Sequence, residues 1–195
     1  MNKNCLLCGV GGQGVVLASK LIASAALEKG MDVRTSETIG MSQRGGSVVS
    51  HVRMGQKIYS PMIPGHSADV LLAFEPAEAV RNLYYLNEGG VAIVNKKAVK
   101  PVTSALGQRS YDGEEMICYL RKRIERLYVV DGEDVCQRAG SPKVLNVVLL
   151  GTALGSGVLD ISVADMERQL KVTLKPQFTT MNLEALRMGA GLAGL

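Results

Sequence analysis

Apolar and polar positions along the first half of the chain fall into alternating strand-period and helix-period stretches, the pattern of an α/β sheet. Residues 4–10 are an apolar run with strand character. Residues 11–29 then place Val15, Ala18, Ile22 and Ala25 on one helical face, with Gly30 positioned to end the helix. A second strand is predicted over 31–37, followed by a polar, glycine-containing loop over 38–46. Residues 47–53 and 57–60 read as a hairpin, because Gly55-Gln56 offers a two-residue turn with glycine where φ must be positive. Residues 69–74 are almost uninterruptedly apolar, as in a strand covered on both faces, and Pro76 suits the first turn of a following helix. Residues 91–95 and 127–131 repeat the strand theme.

From Ser141 onward the pattern is helical. Ser141-Pro142 reads as an N-cap with proline at the first helical position, and Ser162 with Asp165 as a capping box. The expected fold is therefore α/β: a Rossmann-like mixed sheet with flanking helices, one antiparallel hairpin and a helical C-terminal portion. No linker, repeat or low-complexity tract divides the chain, so a single domain over residues 1–195 is expected.

With 47% hydrophobic and 21% charged residues the chain can build a core without a metal or disulfide staple. Its formal charge of +4 is small for 195 residues and excludes the basic footprint of a nucleic-acid-binding protein. The densest basic run, Arg121, Lys122, Arg123 and Arg126, shares its segment with Ile117, Leu120, Ile124 and Leu127. That spacing reads as one apolar helical stripe with the cations on solvated faces. No apolar stretch reaches the roughly 20 residues of a bilayer span, and strand character begins without a signal-peptide layout. A cytoplasmic protein without membrane contact is expected. Cys5 and Cys8 lie on the first strand, where residues three apart face opposite sides and sit about 10 Å apart, which suits buried free thiols and neither a disulfide nor a chelate.

Chemistry concentrates in two stretches. Gly9-Val10-Gly11-Gly12-Gln13-Gly14 follows a strand and opens a helix, the context in which G-x-G-x-x-G lets backbone N–H groups approach a phosphate. Glu37, at the end of the second strand, stands where a dinucleotide fold keeps its ribose-binding acid. The same glycines also serve a purely structural turn, and both readings stand at this level; Gln13 favours a ligand, since a structural turn has no evident need of a side-chain amide there. The second stretch runs from Glu37 to Ser47 and crowds Ser42, Gln43, Arg44, Gly45 and Gly46 into one loop. That composition suits gripping a carboxylate, a phosphate or a partner's backbone, against the plainer reading of a connection between strands. His51, within a strand, and His66, after Pro64-Gly65, have no Ser or Cys placed to make a nucleophile–base pair and are assigned structural or solvent roles.

Taken in order, Gly9 to Gly14, Glu37 with Ser42 to Ser47, Tyr59-Ser60-Pro61 and Asp69 to Pro76 resemble the gamma-type subunit of pyruvate, ketoisovalerate and indolepyruvate:ferredoxin oxidoreductases. The likeness is strong over residues 5–97 and looser through Asn146 to Gly191. The resemblance implies an enzyme that decarboxylates a 2-oxo acid on thiamine diphosphate, passes electrons through iron–sulfur clusters to ferredoxin and releases an acyl-CoA. The chain has no Gly-Asp-Gly followed by Asn-Asn for the diphosphate and its magnesium, and no four cysteines with ferredoxin spacing. The resemblance therefore implies no catalytic residue or metal ligand here, with thiamine diphosphate, magnesium and the clusters on a larger, alpha-type partner, CoA as co-substrate of the complex, and ferredoxin met through the complex. A free-standing chain of this length most resembles the beta subunit of the indolepyruvate enzyme. Alternatives are a stand-alone NAD- or flavin-binding oxidoreductase domain and a non-catalytic interaction module. The expected ligand- or partner-binding residues are Gly9, Gly11, Gly12, Gln13, Gly14, Glu37, Ser42, Gln43, Arg44, Gly45 and Gly46. Val144, Val147, Val148 and Leu154 exceed what one buried stripe needs, so the helices after Ser141 are the expected partner surface, and the isolated chain is expected either to self-associate or to leave a larger apolar patch than a monomer usually shows.

Overall fold

The structure, a computed structural model, describes residues 2–39, 46–99 and 111–194. Six strands, β1 (Lys3–Val10), β2 (Asp32–Ile39), β3 (Ser47–Gly55), β4 (Ala68–Ala73), β5 (Leu86–Asn95) and β6 (Arg126–Val130), form one sheet in the order β2-β3-β1-β4-β5-β6. β3 is antiparallel to both its neighbours; the β1-β4-β5-β6 portion is parallel. This is the mixed α/β architecture expected.

Strand alternation sorts β1 onto two cores. Cys5 and Leu7 join the larger core with α1 (Val15–Glu28), α4 (Gly132–Arg138), α5 (Leu145–Gly155), α6 (Val163–Thr173) and α7 (Pro176–Gly191). Leu6 and Cys8 face α2 (Pro76–Asn82) and α3 (Gly113–Arg121) on the other side. Cys5, Cys8 and Cys136 are buried free thiols whose ionisation burial pushes to higher pH, which makes them poor nucleophiles.

Three local expectations change. The antiparallel hairpin exists, but β2 and β3 make it, not β3 and residues 57–60. Both edges of β3 are already occupied, by β1 and by β2, so no ladder edge is left for the chain after Gly55. That stretch instead anchors through Ile58, whose N–H donates to Asp32 Oδ2 at 2.9 Å. The stripe of Ile117, Leu120, Ile124 and Leu127 is also not one helix: α3 ends at Arg121, and Leu127 belongs to β6. The four cations around it are solvent-exposed.

The third change concerns α5. Val144, Val147, Val148 and Leu154 are all buried, so they are not an exposed partner surface. Every residue of α5 from Asn146 to Gly155 is buried, because the helix packs on β4 and β5 and is enclosed by α1, α4, α6 and α7. Thr152 Oγ donates to Gly189 O of α7 at 3.0 Å and so satisfies its hydroxyl inside the core. Among the described residues no helix is long and apolar enough to cross a membrane.

Candidate functional site

The carboxyl ends of β1 and β2 and the start of β3 share one edge of the sheet, since Val10 lies opposite Ser47 and Ile39 opposite Val48. The glycine turn occupies that edge. A Cβ on Gly9 would collide with Gln13 Oε1 and Phe74 Cβ, so β1 can approach the end of β4 only with hydrogen there. Gly12 (φ 99°) and Gly14 (φ 84°) take the left-handed conformation that reverses the chain into α1. Gly14 is the N-cap of α1; among the described residues no side chain caps the helix, and no acidic residue lies in its first turn. Among the described residues nothing compensates the first N–H groups of this 14-residue helix, an arrangement suited to an anion.

Gln13 has a role invisible in the sequence. Its Oε1 accepts from Val10 N at 2.8 Å and its Nε2 donates to Phe74 O at 3.1 Å. Both ends of the amide are therefore used inside the protein, tying the turn to β4. Gly11 N donates to Gly46 O at 2.9 Å, so the chain re-entering the sheet at β3 is fastened to the turn. The structure thus gathers Gly9, Gly11, Gly12, Gln13, Gly14 and Gly46; Ser42, Gln43, Arg44 and Gly45 lie outside the described residues. Glu37 sits elsewhere. It is exposed on β2 and accepts from Ser19 Oγ of α1 at 3.3 Å. Because β3 intervenes between β1 and β2, Glu37 stands two strand spacings from β1, about 10 Å, where a dinucleotide fold would have the acid one strand away.

Several further residues at this edge carry roles that depend on distant partners. Glu75 and Glu78, on either side of Pro76-Ala77, are each only 2% exposed. Glu75 caps α2 by accepting from Glu78 N at 3.0 Å, and its other oxygen accepts from Val99 N at 3.3 Å and from the Tyr111 hydroxyl. Burial, aided by that carboxylate, pushes the Tyr111 phenol to higher pH. Glu78 accepts from Ser47 Oγ at 2.6 Å and pairs with Arg81. The visible signal was Glu75-Pro76-Ala77-Glu78, a capping pattern of the kind that opens a helix. Asn95 donates to Phe74 O at 3.1 Å beside Gln13, and Asn146 lies against Gly14; the Oδ1 of each is buried without a partner among the described residues. Beyond Asn95 a cleft of about 640 Å³ opens between β5, α4 and α5, lined by Lys97, Cys136, Ser141, Pro142 and Leu145.

His51 is buried, and its Nδ1 accepts from Ile63 N at 3.2 Å, a packing role; burial lowers its proton affinity. His66 is exposed against the Tyr84 ring. Among the described residues no group of three or more His, Cys, Asp or Glu is arranged to hold a metal ion.

Residues 4–192 match the family described as pyruvate ferredoxin/flavodoxin oxidoreductase. The chain is 39% identical over 190 residues to the indolepyruvate oxidoreductase subunit IorB of Archaeoglobus fulgidus, covering 97% of this chain and 94% of that one. In fold it is similar to the gamma subunit of the keto/oxoacid ferredoxin oxidoreductase of Geobacter sulfurreducens, with a TM-score of 0.74 at 23% identity over 99% of this chain and 97% of that one. It is similar too to part of a 2-oxoglutarate:ferredoxin oxidoreductase from Magnetococcus marinus, with a TM-score of 0.75 at 21% identity, covering 98% of this chain and 31% of that longer one. With a family match spanning nearly its whole length and a relative well above 30% identity, the chain belongs to the pyruvate ferredoxin/flavodoxin oxidoreductase family.

Proposed function

We propose that this chain is the small subunit of a 2-oxoacid:ferredoxin oxidoreductase of the indolepyruvate type. The complex converts indolepyruvate, CoA and two oxidised ferredoxins to indoleacetyl-CoA, CO2, two reduced ferredoxins and a proton. The observation that carries this reading is the near-full-length identity to an indolepyruvate oxidoreductase subunit. A larger, alpha-type partner holds thiamine diphosphate, magnesium and the iron–sulfur clusters and meets ferredoxin, while this chain, one domain over residues 1–195, contributes no catalytic residue. Its place is the cytoplasm. The alternative of an independent dinucleotide enzyme is disfavoured by Glu37 standing two strands from the glycine turn.

The contact we assign to the chain is with an anion, either a CoA phosphate or a carboxylate of the partner. Uncapped N–H groups at Val15 and Val16 and the guanidinium of Arg44 supply the complementary charge. Co-expression with the large subunit and assay of viologen reduction by indolepyruvate and CoA tests the reading. The complex should turn over, and the isolated chain should be colourless and inactive. Arg44→Ala should lower CoA or subunit affinity about ten- to a hundredfold, the loss of a charged hydrogen bond of roughly 1.5–3 kcal/mol, with unchanged thermal stability. Viologen reduction by the isolated chain, or an early-melting Arg44→Ala whose surviving complex works normally, would overturn the respective assignment.

A further inference from the structure

Glu78 does something α2 does not require. A helix start needs one capping acceptor, which Glu75 already provides, and burying a carboxylate carries a desolvation penalty of several kcal/mol unless hydrogen bonds offset it. Glu78 sits at 2% exposure with Oε1 paired to Arg81 of its own helix, which offsets part of that penalty, and with Oε2 turned outward from the helix to Ser47 Oγ, 31 residues away in sequence and at the first position of β3. The neighbour of Ser47 is Gly46, whose carbonyl holds Gly11 N. A continuous link therefore runs from the α2 carboxylate through Ser47 and Gly46 to the middle of the glycine turn. Glu75 does the same work for a second part of the edge, fastening Val99 and Tyr111 to the same helical turn. The backbone between them and β4 is fixed as well, because Phe74 N donates to Cys8 O while Phe74 O accepts from Gln13 and Asn95.

We propose that Glu78, acting through Ser47, is a positioning residue: it sets where Gly46 meets the glycine turn and hence the height and orientation of the uncapped α1 N–H groups. The inference rests on the reading of that turn as an anion contact. Ser47 is exposed apart from this bond, so Ser47→Ala should fold normally and isolates the link. Glu78→Met removes the acceptors at similar length, and Glu78→Gln keeps one oxygen that Ser47 can still reach.

In the reconstituted complex, Ser47→Ala and Glu78→Met should each raise either the KM for CoA or the Kd for the large subunit about tenfold, with kcat within about twofold. Glu78→Gln should restore most of that loss, and the Ser47→Ala/Glu78→Met double variant should be no worse than the poorer single one, because both cut the same link. Which constant moves identifies the anion as coenzyme or partner carboxylate. Hydrogen exchange on the isolated chain supplies a readout independent of activity: the Gly11 amide should exchange faster in Ser47→Ala while amides in α5 stay protected. Losses that multiply in the double variant, or a complex with unaltered KM, Kd and Gly11 exchange in Ser47→Ala, would overturn the proposal. A wild-type complex that shows no CoA-dependent turnover, together with accelerated Gly11 exchange in Ser47→Ala, would leave the link standing and overturn the functional reading instead.

Discussion

The glycine turn after β1 and the glycine-bearing contact between α5 and α7 use the same residue for different ends. At the turn, Gly12 and Gly14 supply backbone conformations that side chains resist, and none of the described residues crowds Gly12. Between α5 and α7, Gly151, Gly155 and Gly189 have ordinary helical backbone. A Cβ there would strike the facing backbone, at Leu186 O, Ala190 O and Val148 O respectively. One region uses glycine to shape an edge that faces outward; the other uses it to bring two helix axes together with nothing between them. The first should therefore be tolerant in stability and sensitive in function, and the second the reverse.

The sharpest way to break that contrast is Gly189→Leu. Forcing a side chain against the α5 backbone should cost about 3 kcal/mol or more, lowering Tm by roughly 6–12 °C for a chain of this size. Complexes that survive should have normal KM for CoA. A Tm within a degree or two of wild type would mean that α7 is not seated on α5 as described.

Gly14→Ala should show the opposite ratio. The left-handed conformation costs a residue with a Cβ about 1–2 kcal/mol, and the new methyl would press on the Asn146 amide, so Tm should drop by only a few degrees. Binding at the edge should suffer more than stability does. A variant that melts early yet binds its partners normally would make the turn a packing device like the helix pair.

The smallest effect is a response to acid that separates sheet from helices. His51, on β3, has its proton affinity lowered by burial, so below the ordinary imidazole value of 6.5 the unfolded chain binds a proton that the folded chain resists. Stability should thus fall as pH drops through that value, by at most about 1.4 kcal/mol per pH unit. Asp165, in the α6 capping box with Lys29 and Arg168 beside it, is lowered too but for the opposite reason, since its charged form is favoured: its hydrogen bond to the Ser162 backbone, above all, holds it below the usual carboxylate range. Its contribution is present above the ordinary carboxylate value and is lost only as pH falls through the lower folded value. Urea titrations across pH should show a first loss setting in below pH 6.5 that disappears in His51→Gln and a second, more acidic loss that remains. Persistence of the first step in His51→Gln would assign it to another group.

Much of this was readable residue by residue. The glycine turn, Pro76 at the start of α2, the Ser162–Asp165 capping box and the opposite facing of Cys5 and Cys8 all came through as read, since each depends on neighbours within a few positions. The misreadings have a shared form. Gln13 looked free for a ligand because the carbonyl that occupies its Nε2 belongs to Phe74, 61 residues on. The surplus apolar residues of α5 looked like a docking face because a single buried stripe is the default for a helix; enclosure on all sides depends on α7 returning to cover it. Glu75 and Glu78 drew no reading, because apart from Arg81 on the same helix the donors that permit their burial, at Val99, Tyr111 and Ser47, lie 24 to 36 residues away in sequence.

For most segments, though not for residues 57–60 or the 117–127 stripe, strand and helix identity and the caps were thus determined by the sequence alone, because backbone dihedral preferences and hydrogen bonds across three or four residues are local quantities. The tertiary structure decided which strand would pair with β3, which amide would lock the turn, and which carboxylates would be taken from water. Each of those outcomes depends on the burial and hydrogen-bonding capacity of segments brought together by chain closure over tens of residues, and no local spacing records which segment will arrive.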